Sequence, residues 1–344
     1  MKNKDKISKI MENPQFLASA VVAEVAPELG LKVHLEPQHG YVGQIITQDG
    51  RVLYFRNTSF DLNGQGSADN AKDKGYAAYF MKRMGYSVPE GGTFYSDRWA
   101  KVLKSKKDTI AACEYANALG YPVIVKPNSK SQGVGVEKVY SDDELRVSLG
   151  YVFNEIKDRV AIVQRFIKGD DYRIVTLDQE VIAAYRRLPL SVTGDGTHSI
   201  YQLLEIKQQK FIEIGRDTVI KLDDPRIERR LKRLHFTYEV ILEKAKKVNL
   251  LDNANLSTGG DALDVTEVIH KSYRDLAVRL AHDMGLRYSG VDIITKSPID
   301  KPMGDYSVIE INAAPGLDYY VGIGDKQRGI VREMYKKVLI AMTK

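Results

Sequence analysis

One cysteine, Cys113, stands in a chain of 344 residues, so neither an internal disulfide framework nor a cysteine-built metal site is available. The six histidines are scattered without ligand spacing and read as structural residues. No apolar run reaches the ~18 residues needed to span a bilayer. No internal repeat, low-complexity tract or long linker appears, so the domains should pack closely. The start, K-N-K-D-K-I-S-K and then F-L-A-S-A-V-V-A-E-V-A, superficially resembles a signal peptide. Glu24 interrupts its apolar run and Asn13-Pro14 reads as a helix start, so the expected compartment is the cytoplasm. Neither sign of charge dominates: 51 Lys plus Arg face 45 Asp plus Glu, a net +6. That balance fits a solvated surface, or a basic cleft for phosphates or acidic substrates, better than a nucleic-acid patch.

The length allows two or three domains, and 43% hydrophobic residues suffice for a proper core. The stretch from Val308 to Asp318, V-I-E-I-N-A-A-P-G-L-D, organises the rest. Val308 to Ile311 reads as a short buried strand, and in a period of two Glu310 and Asn312 point to the same face. A carboxylate and an amide oxygen side by side suit a hard cation such as Mg²⁺, which completes its shell with waters and substrate phosphates. Taken alone, the stretch also fits an ordinary strand and turn in which Asn312 caps the turn. A second β-branched strand, Ser289 to Thr295, carries Asp292 among apolar residues. A buried carboxylate needs a cation or a donor, and two neighbouring antiparallel strands would gather Asp292, Glu310 and Asn312 around one or two metal ions.

Taken in order, residues 14–29 read as an amphipathic helix ending at Gly30, and Gln44 to Phe55 as two strands around Asp49-Gly50, a hairpin signal. This is a small N-terminal α+β domain. A polar loop, 60–67, leads into a helix from Ala68 to Met84 that contains Asp73-Lys74 and is capped by Gly85. A short apolar strand then delivers Lys126 at its tip. The small residues of 128–136, with Ser131, Gly133 and Gly135, leave backbone N–H groups free to approach an anion; a lysine and such a loop can clamp a polyphosphate. Val160 to Ile167 is another buried strand, which Lys168 to Arg173 turns into the next, Ile174 to Leu177. Gln164 and the backbone at 165–167 could bind an adenine edge, and a carboxylate of that turn, best Asp171, could hold ribose hydroxyls. Val181 to Arg187 continues the sheet; Arg186 and Arg187 alternate in direction, so only one can face a cleft. Residues 191–198 form a tight loop. Lys221 to Asn249 reads as largely helical and polar, its basic cluster 226–233 fitting a solvated lid or surface helix better than a nucleic-acid helix. Asn255 to Gly260 is a donor-rich loop, and Val268 to Met284 a helix that would cover the metal-carrying sheet.

These pieces, in this order, resemble the ATP-grasp superfamily across roughly Ser67 to Asp318. The residues that carry the resemblance are Asp73-Lys74, Val125-Lys126-Pro127, residues 132–135, Gly169 to Arg173, Gly194 to Ile200, N-L-S-T-G-G at 255–260, G-V-D-I at 290–293 and E-I-N-A-A-P-G at 310–316. Within the superfamily the likeness is to the ATP-grasp portion of cyanophycin synthetase and of bifunctional glutathione synthase. It implies an α+β ATP-grasp fold in which two α+β subdomains clasp ATP. Our division is 1–66 for the N-terminal domain, 67–168 for the central and lid subdomain, and 169–344 for the subdomain with the metal and substrate site. Lys74 and Lys126 would hold phosphates, the 128–136 loop would close over them, and Gln164, Phe166, Ile167 and Asp171 would hold the nucleoside. Asp292, Glu310 and Asn312 would bind Mg²⁺, with Mn²⁺ as an alternative.

The implied reaction is carboxylate–amine ligation: phosphoryl transfer from ATP gives an acyl phosphate, which an amine attacks to form an amide, ADP and phosphate. Lys126 and Arg187 are the expected catalytic residues, and Arg186, Asn255, Ser257, Gly259 and Gly260 the expected substrate contacts. Arg187 would meet either the carboxylate substrate or the transferred phosphate. The expected partners are a small molecule or peptide with a carboxylate and an amine acceptor, without membrane or nucleic acid; self-association is left open. The acid is expected to be an acidic amino acid or the end of a short peptide. A ligase acting on a ribosomal precursor peptide, and a non-catalytic nucleotide-binding protein, are the other readings. The pattern departs from the family at three points. Gln164 stands where an acid is usual. Gly290 stands where D-alanine ligases have an arginine, so the substrate clamp must come from elsewhere. The second, G-K-[ST] phosphate loop of a cyanophycin synthetase does not occur among these residues.

Overall fold

Runs of β-branched residues become strands and capped amphipathic stretches become helices in the computed structural model, which describes residues 17–214, 216, 218–321 and 325–344. The helix start expected at Asn13-Pro14 lies outside the described residues. The helix Leu17–Val25 continues as a 3₁₀ turn, Ala26–Leu29, and stops on Gly30 at φ 70°. Four strands follow as an antiparallel meander: β1 (Lys32–Leu35), β2 (Val42–Ile46), β3 (Val52–Arg56) and β4 (Ser59–Phe60). The β2–β3 turn holds Asp49-Gly50, with Gly50 at φ 85° where only glycine is unstrained.

Beyond two short helices come β5 (Gly91–Tyr95), β6 (Val123–Pro127), β7 (Glu137–Val139) and β8 (Val160–Arg165), a second antiparallel sheet ordered β5-β8-β6-β7. Its core joins Phe94, Val123, Val125 and Val163 to the helices Thr109–Leu119 and Asp142–Gly150. Two long strands, β9 (Asp170–Leu177) and β10 (Glu180–Leu188), precede a helical module, residues 190–251, based on the pair β11 (Ser191–Thr193) and β12 (Lys247–Asn249). This module has its own core of Leu190, Leu204, Phe211, Ile227 and Leu231. The chain then returns as β13 (Asp261–Asp264), β14 (Tyr288–Thr295) and β15 (Tyr306–Asn312), completing a five-stranded antiparallel sheet ordered β13-β10-β9-β14-β15. No helix among the described residues is long and apolar enough to cross a membrane.

Side chains alternate across this central sheet, and its two faces differ. One carries Ile174, Ala184, Val291, Ile293, Val308 and Ile311 against the helix Lys271–Asp283, whose Tyr273, Leu276, Ala277 and Leu280 form the buried stripe. The other face is apolar at one end, where Val175, Leu177, Tyr185 and Tyr288 meet the N-terminal helix and the C-terminal helix Asp325–Thr343. Its opposite end is charged and faces a cleft.

Several expected elements differ. The helix expected from Ala68 to Met84 is two helices, Gln65–Lys72 and Lys74–Arg83, because Asp73 leaves the helical region at ψ 104° and caps the second by accepting from Tyr76 N. The expected turn at 168–173 is already strand from Asp170, because Gly169 slides against β14: a Cβ there would lie 2.6 Å from Thr295 O. The strand expected to run to Ile167 ends at Arg165, and the expected loop 191–198 opens as β11. Lys221 to Asn249 contains one helix, Pro225–Arg233, and one short strand. Its apolar residues Leu234, Phe236, Tyr238, Val240 and Leu242 recur every second residue and pack into the module core, a period no helix can bury on one face.

Candidate active site

Antiparallel pairing lines up one residue from each of four strands: Tyr185 opposite Arg173, Arg173 opposite Asp292, and Asp292 opposite Glu310. In the next row Arg187 lies opposite Asp171. Directly opposed residues share a face, so Asp171, Arg173, Arg187, Asp292 and Glu310 rise together from the charged end. Asn312, two residues beyond Glu310, joins them. A bulge makes this compatible with the core: Asp292 pairs with Glu310 but Ile293 with Val308, leaving Ile309 as the extra residue. Without that extra residue Val308 and Glu310 would point to one face. With it, Val308 stays in the core and Glu310 reaches the cleft.

The row is dense in charge. Arg173 grips Asp292 with two bonds, Nε to Oδ1 at 2.6 Å and Nη2 to Oδ2 at 2.7 Å. Arg187 bridges both acids, 2.8 Å from Nε to Asp171 Oδ1 and 3.0 Å from Nη1 to Asp292 Oδ2. Burial alone would push the Asp292 carboxyl up, but the two arginines outweigh it and hold it below the ordinary range. Asp171 has one arginine where Asp292 has two. Burial raises it to about 6, with Arg187 opposing and the Asp292 charge adding to the rise.

Two lysines come from outside this sheet. Lys126, at the tip of β6, is only 4% exposed. Burial lowers its ammonium to about 8, against the attraction of Glu310, and the neighbouring charge of Lys74 lowers it further. Lys74 opens the helix Lys74–Arg83 and places Nζ 3.2 Å from Glu310 Oε1. Asn128 locks the two lysine-bearing elements together: its Nδ2 donates to Asp73 Oδ2 at 2.7 Å, and its Oδ1 accepts from Gly75 N at 2.9 Å. The helix break at Asp73 therefore positions Lys74.

These groups line a cleft of about 730 Å³ together with Ser131, Gly133, Gln164, Phe166, Ile167, Arg186, Asn255 and Ser257. A groove of similar size, about 820 Å³, lies between Glu180 and the helix Lys271–Asp283 and contains none of the expected site residues. Gln164 is buried in β8, and Lys138 Nζ sits 3.7 Å from the centre of the Phe166 ring. Of the arginine pair, Arg187 faces the row, whereas Arg186 bonds Asp170 at the cleft edge. Asn255 Oδ1 accepts from Ser257 N at 3.0 Å, folding the 255–260 loop on itself. Gly259 and Gly260 do not line the cleft. A Cβ at Gly260 would meet Leu188 O at 2.3 Å, so that glycine serves close backbone passage. Gly135 likewise turns to Ile156 and Pro127. The turn after β11 is held by Asp195, which accepts from Thr197 N and His198 N at 2.8 Å, and it too stands outside the cleft lining.

Sequence reasoning missed Arg173 as a site residue. A period of two from Asp171 would have found it, had 168–173 been read as strand. It also missed Asn128, whose partners Asp73 and Gly75 are distant in sequence. Where D-alanine ligases were expected to differ, at Gly290, the Arg173 chain passes: its Cδ would lie 3.6 Å from a Cβ there, and Pro315 Cβ 2.9 Å. For a cation, the donor chemistry fits at Glu310 and Asn312, which offer carboxylate and amide oxygens. Among the described residues the Asn312 amide nitrogen is buried without a hydrogen-bond partner, so that side chain is uncommitted. Both Asp292 oxygens accept from arginines. No group of three His, Cys, Asp or Glu among the described residues could hold a metal alone.

An antiparallel sheet with a charged end, facing a second sheet that supplies a lysine and a glycine-rich loop, is the ATP-grasp fold. The family model described as "D-ala D-ala ligase C-terminus" matches residues 80–219. Within that class the chain resembles the ATP-grasp portion of cyanophycin synthetase and of bifunctional glutathione synthase. It is 32% identical over 271 residues to cyanophycin synthetase of Crocosphaera subtropica, covering 77% of this chain and 30% of that protein. It is 34% identical over 248 residues to the glutathione biosynthesis bifunctional protein of Streptococcus mutans, covering 69% and 31%. It thus spans about 30% of the length of these curated relatives. The crystal structure of a bifunctional glutathione synthetase from Pasteurella multocida shares the fold, with TM-score 0.58 and 24% identity over 93% of this chain and 44% of that one.

Proposed function

We propose that this chain is an ATP-dependent carboxylate–amine ligase that forms an amide, peptide-like bond through an acyl phosphate and releases ADP and phosphate. The reading is carried by the convergence of Lys74 and Lys126, from separate elements, on the Arg173–Asp292–Arg187–Asp171 network and Glu310. Phosphoryl transfer to a carboxylate needs charge neutralisation and in-line positioning more than covalent help. Lys126, already short of water, exchanges a burial that Glu310 only partly offsets for phosphate contact. Lys74 leaves Glu310 for the same anion, and amides of the 128–136 loop close over it. Gln164, Phe166 and Ile167 hold the nucleoside, while Asp171 acts as counter-ion to Arg187. Glu310 and Asn312, with Asp292 beside them, hold Mg²⁺, which when bound supplies Lewis-acid neutralisation of the phosphates. Arg187 orients the carboxylate substrate or the transferred phosphate.

In this reading residues 67–168 cover the nucleotide and residues 169–344 carry the metal and substrate ends. The basic surplus around the cleft supports an acidic amino acid or the end of a short peptide as the acid, with an amine as acceptor. The 128–136 loop excludes water from the acyl phosphate. The test is Glu310→Ala: we expect turnover to be abolished with the unfolding transition retained. Wild-type ADP release by that variant at saturating Mg²⁺ would remove both the metal assignment and the reading.

A further inference from the structure

The basic cluster 226–233 is not a solvated face. On the helix Pro225–Arg233, Ile227 and Leu231 enter the module core, and Arg226, Arg229 and Arg233 reach across to the loop, strand and helix beside Lys126. Arg229 makes a two-pronged contact with Glu137 of β7, at 2.6 and 2.8 Å. Arg233 contacts Glu144 at 3.0 Å. Arg226 does something different, because it touches backbone. Its Nη1 donates to Gly133 O at 2.9 Å and Val136 O at 3.1 Å. Its Nε and Nη2 are fixed on Asp224, at 3.0 and 2.6 Å. Arg226 and Asp224 side chains are 10% and 12% exposed, so the guanidinium is aimed by a buried partner.

Two further carbonyls of the loop accept from side chains. Lys74 Nζ donates to Lys130 O. Ser257 Oγ lies 2.9 Å from Gln132 O and 2.8 Å from Asn255 Oδ1, with one proton to give. In a trans peptide the C=O and the following N–H point in opposite directions. Holding the carbonyl of Gln132 on Ser257 therefore turns the amide of Gly133 the other way, whereas Lys130 O is held from the cleft side by Lys74. Gln132 at φ 57° and Gly133 at φ 69° have the left-handed backbone such a reversal needs. Donors from the 190–251 module and the following loop hold its outer side.

We propose that Arg226 is a positioning residue for nucleotide binding: by pinning the carbonyls of Gly133 and Val136 from the side of the 190–251 module it fixes where the loop sits over the cleft, and so the reach of the Gly133 amide to the β- and γ-phosphates. This rests on the ligase reading above. It also couples the loop to the module that leads into the Asn255–Ser257 substrate loop, so nucleotide grip and substrate loop share one anchor.

The test measures, by calorimetry on the full chain with Mg²⁺, the affinity for a non-hydrolysable ATP analogue and for AMP. Arg226→Ala is expected to weaken the ATP analogue about tenfold, the size of one lost charge-assisted hydrogen bond, with AMP affinity unchanged. Arg226→Lys, which keeps one cationic donor, should fall between and serves if the alanine variant does not fold. Arg229→Ala, which loses an ion pair on the same helix but no loop carbonyl, should keep the wild-type ratio of the two affinities. An unchanged ratio in both Arg226 variants overturns the proposal while leaving the ligase reading intact. An equal loss in Arg229→Ala also overturns it, because the effect would then belong to helix docking. Failure of the wild-type chain to bind the ATP analogue at all would instead remove the ligase reading.

Discussion

Arg187 is the residue on which the charged row balances, since it contacts both Asp171 and Asp292 from a site only 10% exposed. Arg187→Ala leaves Asp171 as a buried anion with no guanidinium in contact, a change that costs about 3–5 kcal/mol in other buried pairs. Burial already raises Asp171 to about 6, and removal of its arginine moves it higher. A carboxyl raised in the folded state contributes stability at low pH and loses it as pH rises through the folded value. The variant should therefore lose more stability relative to wild type at pH 8 than at pH 6 in urea unfolding. Equal losses at both pH values would show that Asp171 does not depend on Arg187. That Glu310 and Asn312 share a face was legible from strand period, and that Asp292 needs a partner was legible from its apolar flanks. Arg173 was not, because its role depends on which strand lies beside β14, and pairing between distant strands leaves no local trace in the sequence.

At the scale of elements, the Asp73 break and the Ile309 bulge decide which side chains reach the cleft. Neither follows from periodicity: an apolar helix pattern runs through Asp73, and the bulge is defined only by its partner strand. The hairpin at Asp49-Gly50 and the helix Lys271–Asp283 were legible because turn chemistry and a 3.6-residue stripe are local signals. The segment 221–249 was misread because charged, helix-favouring residues hid an alternation of apolar ones. Asn128, 6% exposed, joins the break to β6 and carries a prediction. Asn128→Ala removes the bonds to Asp73 Oδ2 and Gly75 N, which should cost about 1–3 kcal/mol and let the Lys74 end of its helix drift. Kinetics should show a raised KM for ATP with the KM for the amine unchanged. A normal KM for ATP in a destabilised variant would confine Asn128 to a structural role.

Across the whole molecule, the cleft lies where three bodies meet: the central sheet provides acids and arginines, the β5–β8 sheet provides Lys126 and the loop, and the 190–251 module holds that loop from outside. Lys74, Lys126, Arg173 and Arg187 face Asp171, Asp292 and Glu310, a surplus of one cation awaiting an anion. A polyphosphate and an acidic substrate bring negative charge, and a divalent cation offsets part of it. The central claim is that this charge serves ligation, and the direct measurement is ADP release by the full chain across a panel of amino acids and short peptides, with the product identified by mass. We expect ADP release that requires Mg²⁺, an acidic carboxylate substrate and an amine together, with one amide formed per ADP. ADP release that is independent of any amine, or the absence of an amide at every pairing despite ATP binding, would contradict it.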